Sequence, residues 1–158
     1  MAGRVVIIMG SKSDLEQAKP ITAQLDEFGI PYALHVASAH KAARYLLDIL
    51  AGYEATAEPL VYITIAGRSN ALGGMVDANT THPVITCPPV SSAFGGADIY
   101  SSLRMPSGVA PVVVLEPAAA ALAAAKILAL ADEALRGRIA AYQAGMSAAI
   151  VEADASLR

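Results

Sequence analysis

The sequence predicts an α/β fold, a three-layer αβα sandwich on a flavodoxin-like doubly wound parallel sheet, with an extra C-terminal helix. Three observations predict it. Five short apolar, β-branched runs alternate with helical stretches, the βαβ order of a parallel sheet with crossover helices. The runs are continuously apolar rather than alternating, as strands covered on both faces are. The length, 158 residues with 55% hydrophobic and 16% charged, suits one ordinary domain. No repeat, linker or low-complexity segment divides it, so residues 1–158 read as a single domain, with a core at about 4–131 and a last helix at about 138–155.

In order, Arg4–Met9 is strand one, and Asp14–Phe28 is a helix stopped by Gly29. Tyr32–Val36 is a buried strand two and Lys41–Tyr53 a helix. Leu60–Ile65 is strand three and Ala71–Asn79 a short helix. Pro83–Thr86 is strand four, followed by loop and helix over Ser92–Leu103. Pro111–Leu115 is strand five, Pro117–Leu135 a long helix, and Arg138–Ala155 the last helix. The run Ala118–Ala125 holds seven alanines and Leu122. Alanine favours helix, and a helix apolar on all sides must be buried on all sides. In so small a domain that predicts contact with another subunit, although one face on the domain and a benign alanine-coated outer face would also fit.

Composition narrows the partners. A net charge of -3 and no Lys/Arg cluster argue against nucleic-acid binding. The lone cysteine, Cys87, forbids an intrachain disulfide and suits a reducing cytosol. The apolar run Val5–Met9 is too short for a signal-peptide core. Ala118–Ala131 contains Lys126 and is shorter than a membrane span. The expectation is a cytoplasmic protein with no membrane contact.

Chemistry-bearing residues fall at the ends of the predicted strands, the edge where ligands bind in open α/β sheets. The first turn is Gly10-Ser11-Lys12-Ser13-Asp14. Helix N–H groups and the Ser11 and Ser13 hydroxyls suit an anion. Asp14 suits a vicinal diol, so a ligand with both phosphate and ribose fits this turn; a plain Ser/Asp helix cap fits it too. Neither a Walker A loop nor G-x-G-x-x-G is present. The second turn is Ser38-Ala39-His40-Lys41. His40 is the side chain best poised to move a proton near neutral pH, Lys41 can meet an anion, and Ser38 can equally be a helix cap. The third turn, Ala66-Gly67-Arg68-Ser69-Asn70, brings backbone close to a ligand. Ser69 and Asn70 can donate to it; Arg68 suits an anion or an ion pair. The fourth, Cys87-Pro88-Pro89-Val90-Ser91-Ser92, is stiff, and Cys87 has no base beside it, as for a buried thiol. The loop Ser101–Gly108 can cover the pocket, its own or a neighbouring subunit's, or be an ordinary connection. His35, His40 and His82 lack zinc-ligand spacing, so no metal is expected.

Together these stretches resemble the PurE family, the aminoimidazole ribonucleotide (AIR) carboxylases and mutases of purine biosynthesis. The resemblance runs from Val5 to about Leu130. Gly10–Asp14 looks like the family's phosphate and ribose turn, Ser38-Ala39-His40 like the turn with its catalytic histidine, and Met105-Pro106-Ser107-Gly108 like its loop before the last strand. Class I members are mutases that move a carboxylate from the exocyclic amine to ring carbon four; class II members add carbon dioxide directly. Class I typically reads S-A-H-R-T-P and A-G-G-A-A-H-L-P-G. This chain has Lys41 for the arginine and Ala66–Gly74 without the second histidine, and so resembles class II. The resemblance implies a cofactor-free carboxylase in which His40 is general acid and base. Ser11, Ser13 and Asp14 would hold the phosphate-ribose end, with Ser38, Lys41, Gly67 and Ser69 completing the pocket. It further implies a ribonucleotide and carbon dioxide as partners and a homo-octamer. The rivals are a class I mutase and a non-catalytic binding module, which fold alone never excludes. A receiver-like module lacks its acidic pair at Met9-Gly10-Ser11. A flavin module would want aromatic residues, and the chain has no Trp and two Phe.

Overall fold

In the computed structural model, which describes residues 3–158, the apolar runs pair as one parallel sheet in the order β2-β1-β3-β4-β5. The strands are β1 (Arg4–Met9), β2 (Tyr32–Val36), β3 (Leu60–Ile65), β4 (Val84–Thr86) and β5 (Val112–Val113). Val5 of β1 lies opposite Tyr32 of β2 on one side and Val61 of β3 on the other. The order is the flavodoxin-like one, and its direction reverses between β1 and β3.

Successive side chains along a strand point to opposite faces. β1 therefore sends Val5, Ile7 and Met9 to one side and Val6 and Ile8 to the other. On the first side lie α1 (Leu15–Glu27), α5 (Pro117–Leu128) and the start of α6 (Glu133–Ala155), through Ile21, Leu25, Ala121, Ala125, Leu135 and Ile139. On the second lie α2 (Ala43–Glu54) and α3 (Ala71–Asp77), through Leu46, Leu50, Leu72 and Val76. The three predicted layers result. Each fully buried aliphatic side chain contributes about 1.5–3 kcal/mol of transfer free energy, so burying the central strands on both faces holds their C-terminal ends firmly.

Four expectations change. β2 is an edge strand, not a buried one, and Leu34 and Val36 are exposed. Helix α2 starts at Ala43 rather than Lys41, because residues 39–41 form a turn whose closing bond runs from Ala42 N–H to the Ser38 carbonyl. Helix α5 stops at Leu128, not Leu135, and α6 starts at Glu133, not Arg138. Asp132 makes the break: its carboxylate accepts the Leu135 N–H at 2.9 Å and caps a new helix. One face of the alanine run also finds its cover inside the chain. Ala120, Ala121, Ala124 and Ala125 are buried against the sheet and α1. Small side chains let α5 lie close, so its all-round apolarity does not by itself demand another subunit. The larger exposed apolar side chains lie elsewhere, among them Leu34, Val36, Phe94, Tyr100, Met146, Ile150 and Val151.

Candidate active site

Four loops leave the C-terminal ends of β1 to β4 and enclose one open cleft of about 630 Å³, within the ordinary range for a small-molecule site. It sits at the reversal between β1 and β3. There the Gly10 N–H donates to the Ile65 carbonyl at 2.8 Å, and the Ala37 N–H donates to the Met9 carbonyl at 2.8 Å. The strand ends are thus pinned before the loops part. The eight residues that the family resemblance assigns to the site all line this cleft: Ser11, Ser13, Asp14, Ser38, His40, Lys41, Gly67 and Ser69.

The first turn is a capping box around the short 3-10 helix Lys12–Asp14. The Ser11 N–H donates to Asp14 Oδ2 at 2.9 Å, and the Ser13 N–H donates to Ser11 Oγ at 3.3 Å. Two amides expected to be free for an anion are therefore used. The Ser13 hydroxyl donates to Ser11 Oγ at 3.0 Å, which leaves the Ser11 proton available to a ligand. Burial raises the Asp14 carboxyl above its ordinary value, against the smaller lowering by the Ser11 N–H.

In the second turn Ser38 Oγ accepts the Lys41 N–H at 3.2 Å. The serine braces the loop, while the cap position of α2 falls to Ala42. His40 and Lys41 stay exposed at the rim. Among the described residues nothing hydrogen-bonds the His40 ring, which leaves both nitrogens for a ligand. The other histidines lie away from the cleft. His35 Nε2 is 2.8 Å from the Tyr53 hydroxyl, and His82 Nε2 is 3.8 Å from Glu54. Burial lowers the His35 pKa below 6.5.

The third turn lies tight against the fourth. A Cβ on Gly67 would come within 3.1 Å of Pro89 Cγ. Arg68 lines the cleft with φ at 60° and has no carboxylate within ion-pair distance among the described residues. Asn70 does not face a ligand as expected; it is buried as the cap of α3. Its Oδ1 accepts the Gly73 N–H, and its Nδ2 donates to Thr86 Oγ1 at 2.7 Å and Ser102 Oγ at 2.9 Å. The fourth turn adds Pro89, Val90 and Ser91 to the wall. Cys87 is a buried thiol whose pKa burial pushes up to about 11. The Ser101–Gly108 loop does not line the cleft; Met105 packs against α3 beside Gly74. Among the described residues no three His, Cys, Asp or Glu side chains gather as metal ligands.

The sequence model of the AIR carboxylase family matches residues 4–149. The chain belongs to the AIR carboxylase family. Two relatives match this chain over most of their own length. It is 54% identical to the phosphoribosylaminoimidazole carboxylase of Archaeoglobus fulgidus, over 98% of this chain and 85% of that one. It is 49% identical to the enzyme of that name from Treponema denticola, over 98% and 97%. The crystal structure of Treponema denticola PurE superposes with a TM-score of 0.97, covering 99% of each chain at 49% identity. The human bifunctional phosphoribosylaminoimidazole carboxylase/phosphoribosylaminoimidazole succinocarboxamide synthetase is 41% identical over 98% of this chain, which spans 36% of that protein.

Proposed function

We propose that the chain carboxylates 5-aminoimidazole ribonucleotide with carbon dioxide, reversibly, to the 4-carboxy product of purine biosynthesis. The observation that carries this reading is the convergence of His40, the Gly10–Asp14 turn and the Gly67–Ser69 turn on one cleft at the sheet's reversal. The two relatives named above, about half identical over nearly the full chain, support it.

The chemistry follows from the ring. Aminoimidazole is an electron-rich enamine, so carbon four supplies the electron pair for the new bond to carbon dioxide. The attacked C=O bond yields its pair to a carboxylate oxygen. Carbon four then bears both hydrogen and carboxylate. His40 removes that proton, and the C–H pair restores aromaticity. In reverse, protonated His40 returns the proton and carbon dioxide leaves. One group thus serves as general base and general acid. Ser11, Ser13 and Asp14 hold the phosphate-ribose end, the Asp14 carboxylate accepting from the diol. Ser38 braces the His40 turn, and Lys41 faces a ligand anion. Gly67 and Ser69 stabilise the new carboxylate, as preorganised donors stabilise developing charge.

Lys41 and the third turn without a second histidine support carbon dioxide over the N-carboxylated ribonucleotide as co-substrate. The test supplies AIR with dissolved carbon dioxide and, separately, the N-carboxylated ribonucleotide. Product from free carbon dioxide is expected. Turnover of the N-carboxylated substrate alone means a mutase, and no turnover of either means a binding module. The same reading assigns the enzyme to the cytoplasm as a homo-octamer. Its support is the family resemblance and the apolar side chains left exposed on β2 and α6. No helix among the described residues is long and apolar enough to cross a membrane.

A further inference from the structure

We propose that Asp98 is a positioning residue, which latches Arg68 in a strained backbone conformation so that its guanidinium stands at the cleft for an anionic group of the ribonucleotide. The proposal rests on the function proposed above and concerns residues to which that function gives no role.

Arg68 is the sole non-glycine residue with positive φ among the described residues. In that region an L-residue's Cβ crowds the following carbonyl. Such a conformation persists only where the surroundings over-determine it. Here they do. The Arg68 N–H donates to Asp98 Oδ2 at 3.2 Å. The Ser101 hydroxyl lies 3.0 Å from the Arg68 carbonyl and 2.8 Å from the Asp98 carbonyl. It also accepts the Asn70 N–H at 3.0 Å. Both polar groups of the strained residue therefore end on one short segment, the 3-10 turn Ala97–Ile99 and α4 (Tyr100–Leu103). Buried Ser102, bonded to Asn70, fastens that segment to the fold.

Glycine takes positive φ without strain, yet glycine stands at position 67 and arginine at 68. A turn that served the backbone alone would have glycine at 68. Arginine there points to a use for the side chain, and two facts say what use. Arg68 lines the cleft with Lys41, and among the described residues no carboxylate lies within ion-pair distance of its guanidinium. An arginine with free donors suits a planar carboxylate or a phosphate. Asp98 does not line that cleft. It lines a smaller cavity of about 190 Å³ behind the same turn, with Gly67, Ile99 and Ser102. Among the described residues its one side-chain hydrogen bond to the turn is to the Arg68 N–H, and its proposed influence on the ligand runs through that contact.

The test is a double-mutant cycle of Asp98→Ala and Arg68→Gly, with KM and kcat for AIR, beside Asp98→Asn. Asp98→Ala is expected to raise KM about tenfold, the scale of one coupled contact, with a smaller change in kcat. Asp98→Asn keeps an acceptor for the Arg68 N–H and restores KM to within about threefold of wild type. In the Arg68→Gly background there is neither strain nor guanidinium to hold, and adding Asp98→Ala shifts KM less than about twofold. Equal KM increases in both backgrounds, or no increase in either, overturn the proposal. Amide hydrogen exchange at Arg68 reads the latch without substrate: protection in wild type is expected, and free exchange overturns it even if Asp98→Ala does not fold. An inactive wild type refutes the proposed reaction; an active wild type with an additive cycle refutes only the positioning role.

Discussion

Asp14, proposed above to meet the ribose diol, also serves the fold, and at some cost to it. Its carboxylate closes the capping box with the Ser11 N–H, yet burial raises its pKa above 3.8. A raised folded-state pKa means that the native chain favours the protonated form. That contribution to stability is full below the unfolded value and is lost as pH rises through the raised one. At neutral pH the ionised carboxylate is therefore a mild liability. Asp14→Asn keeps an acceptor for Ser11 and removes the charge. Its Tm should exceed that of wild type at pH 7, with the gap closing as the pH falls through the raised pKa of Asp14, while AIR binding weakens. A lower Tm at pH 7 would contradict this account. At this scale the sequence was readable where chemistry and turn position coincide, as in Ser38-Ala39-His40-Lys41. It was not readable for Asn70, whose polar side chain looked like a ligand donor. Only the packing of Thr86 and Ser102 around it reveals a buried cap. Asp98 gave no local signal, since its partner lies 30 residues earlier.

Among the elements, α3 matters most to the site, because it follows the third turn directly. It sits close on the sheet: a Cβ on Gly73 would come within 3.1 Å of Thr86 Oγ1 and 3.3 Å of Thr64 Oγ1. Asn70 ties its first turn to β4 and α4. Asn70→Ala would orphan the buried Thr86 hydroxyl and the Gly73 amide, at roughly 2–3 kcal/mol. At about 2–4 °C per kcal/mol for a domain of this size, Tm should fall by about 4–12 °C. An unchanged Tm on a melting curve would remove the network from this role. Strand and helix identities followed from apolar runs and helix punctuation. The α5–α6 boundary did not, because alanine and leucine favour helix through residues 129–131. The stop depends on Asp132 capping the next helix, a signal present in the sequence as Asp132-Glu133 but masked by the helical propensity around it.

For the whole molecule, the order β2-β1-β3-β4-β5 does the positioning: one sheet reversal brings four loops, far apart in sequence, around a single cleft. That order was legible from the alternation of elements. Which strands lie at the edge was less so, since Tyr32–Val36 is as apolar as the central runs. Apolar residues on an edge strand and on the outer part of α6 are surfaces a subunit can cover, and these, more than the alanine run, support assembly. Sedimentation should give a mass several times 16.2 kDa, and Ile150→Asp on α6 should lower it. A monomeric wild type would contradict the proposed octamer.

In the proposed reaction a single residue, His40, moves the proton at carbon four. The decisive variant is His40→Asn, with turnover of AIR and carbon dioxide and AIR affinity by calorimetry measured on one preparation. Turnover should fall by at least about a hundredfold, the lower range for general acid–base catalysis, with affinity within a few fold of wild type. Retained turnover, or affinity lost along with it, would contradict the role given to His40.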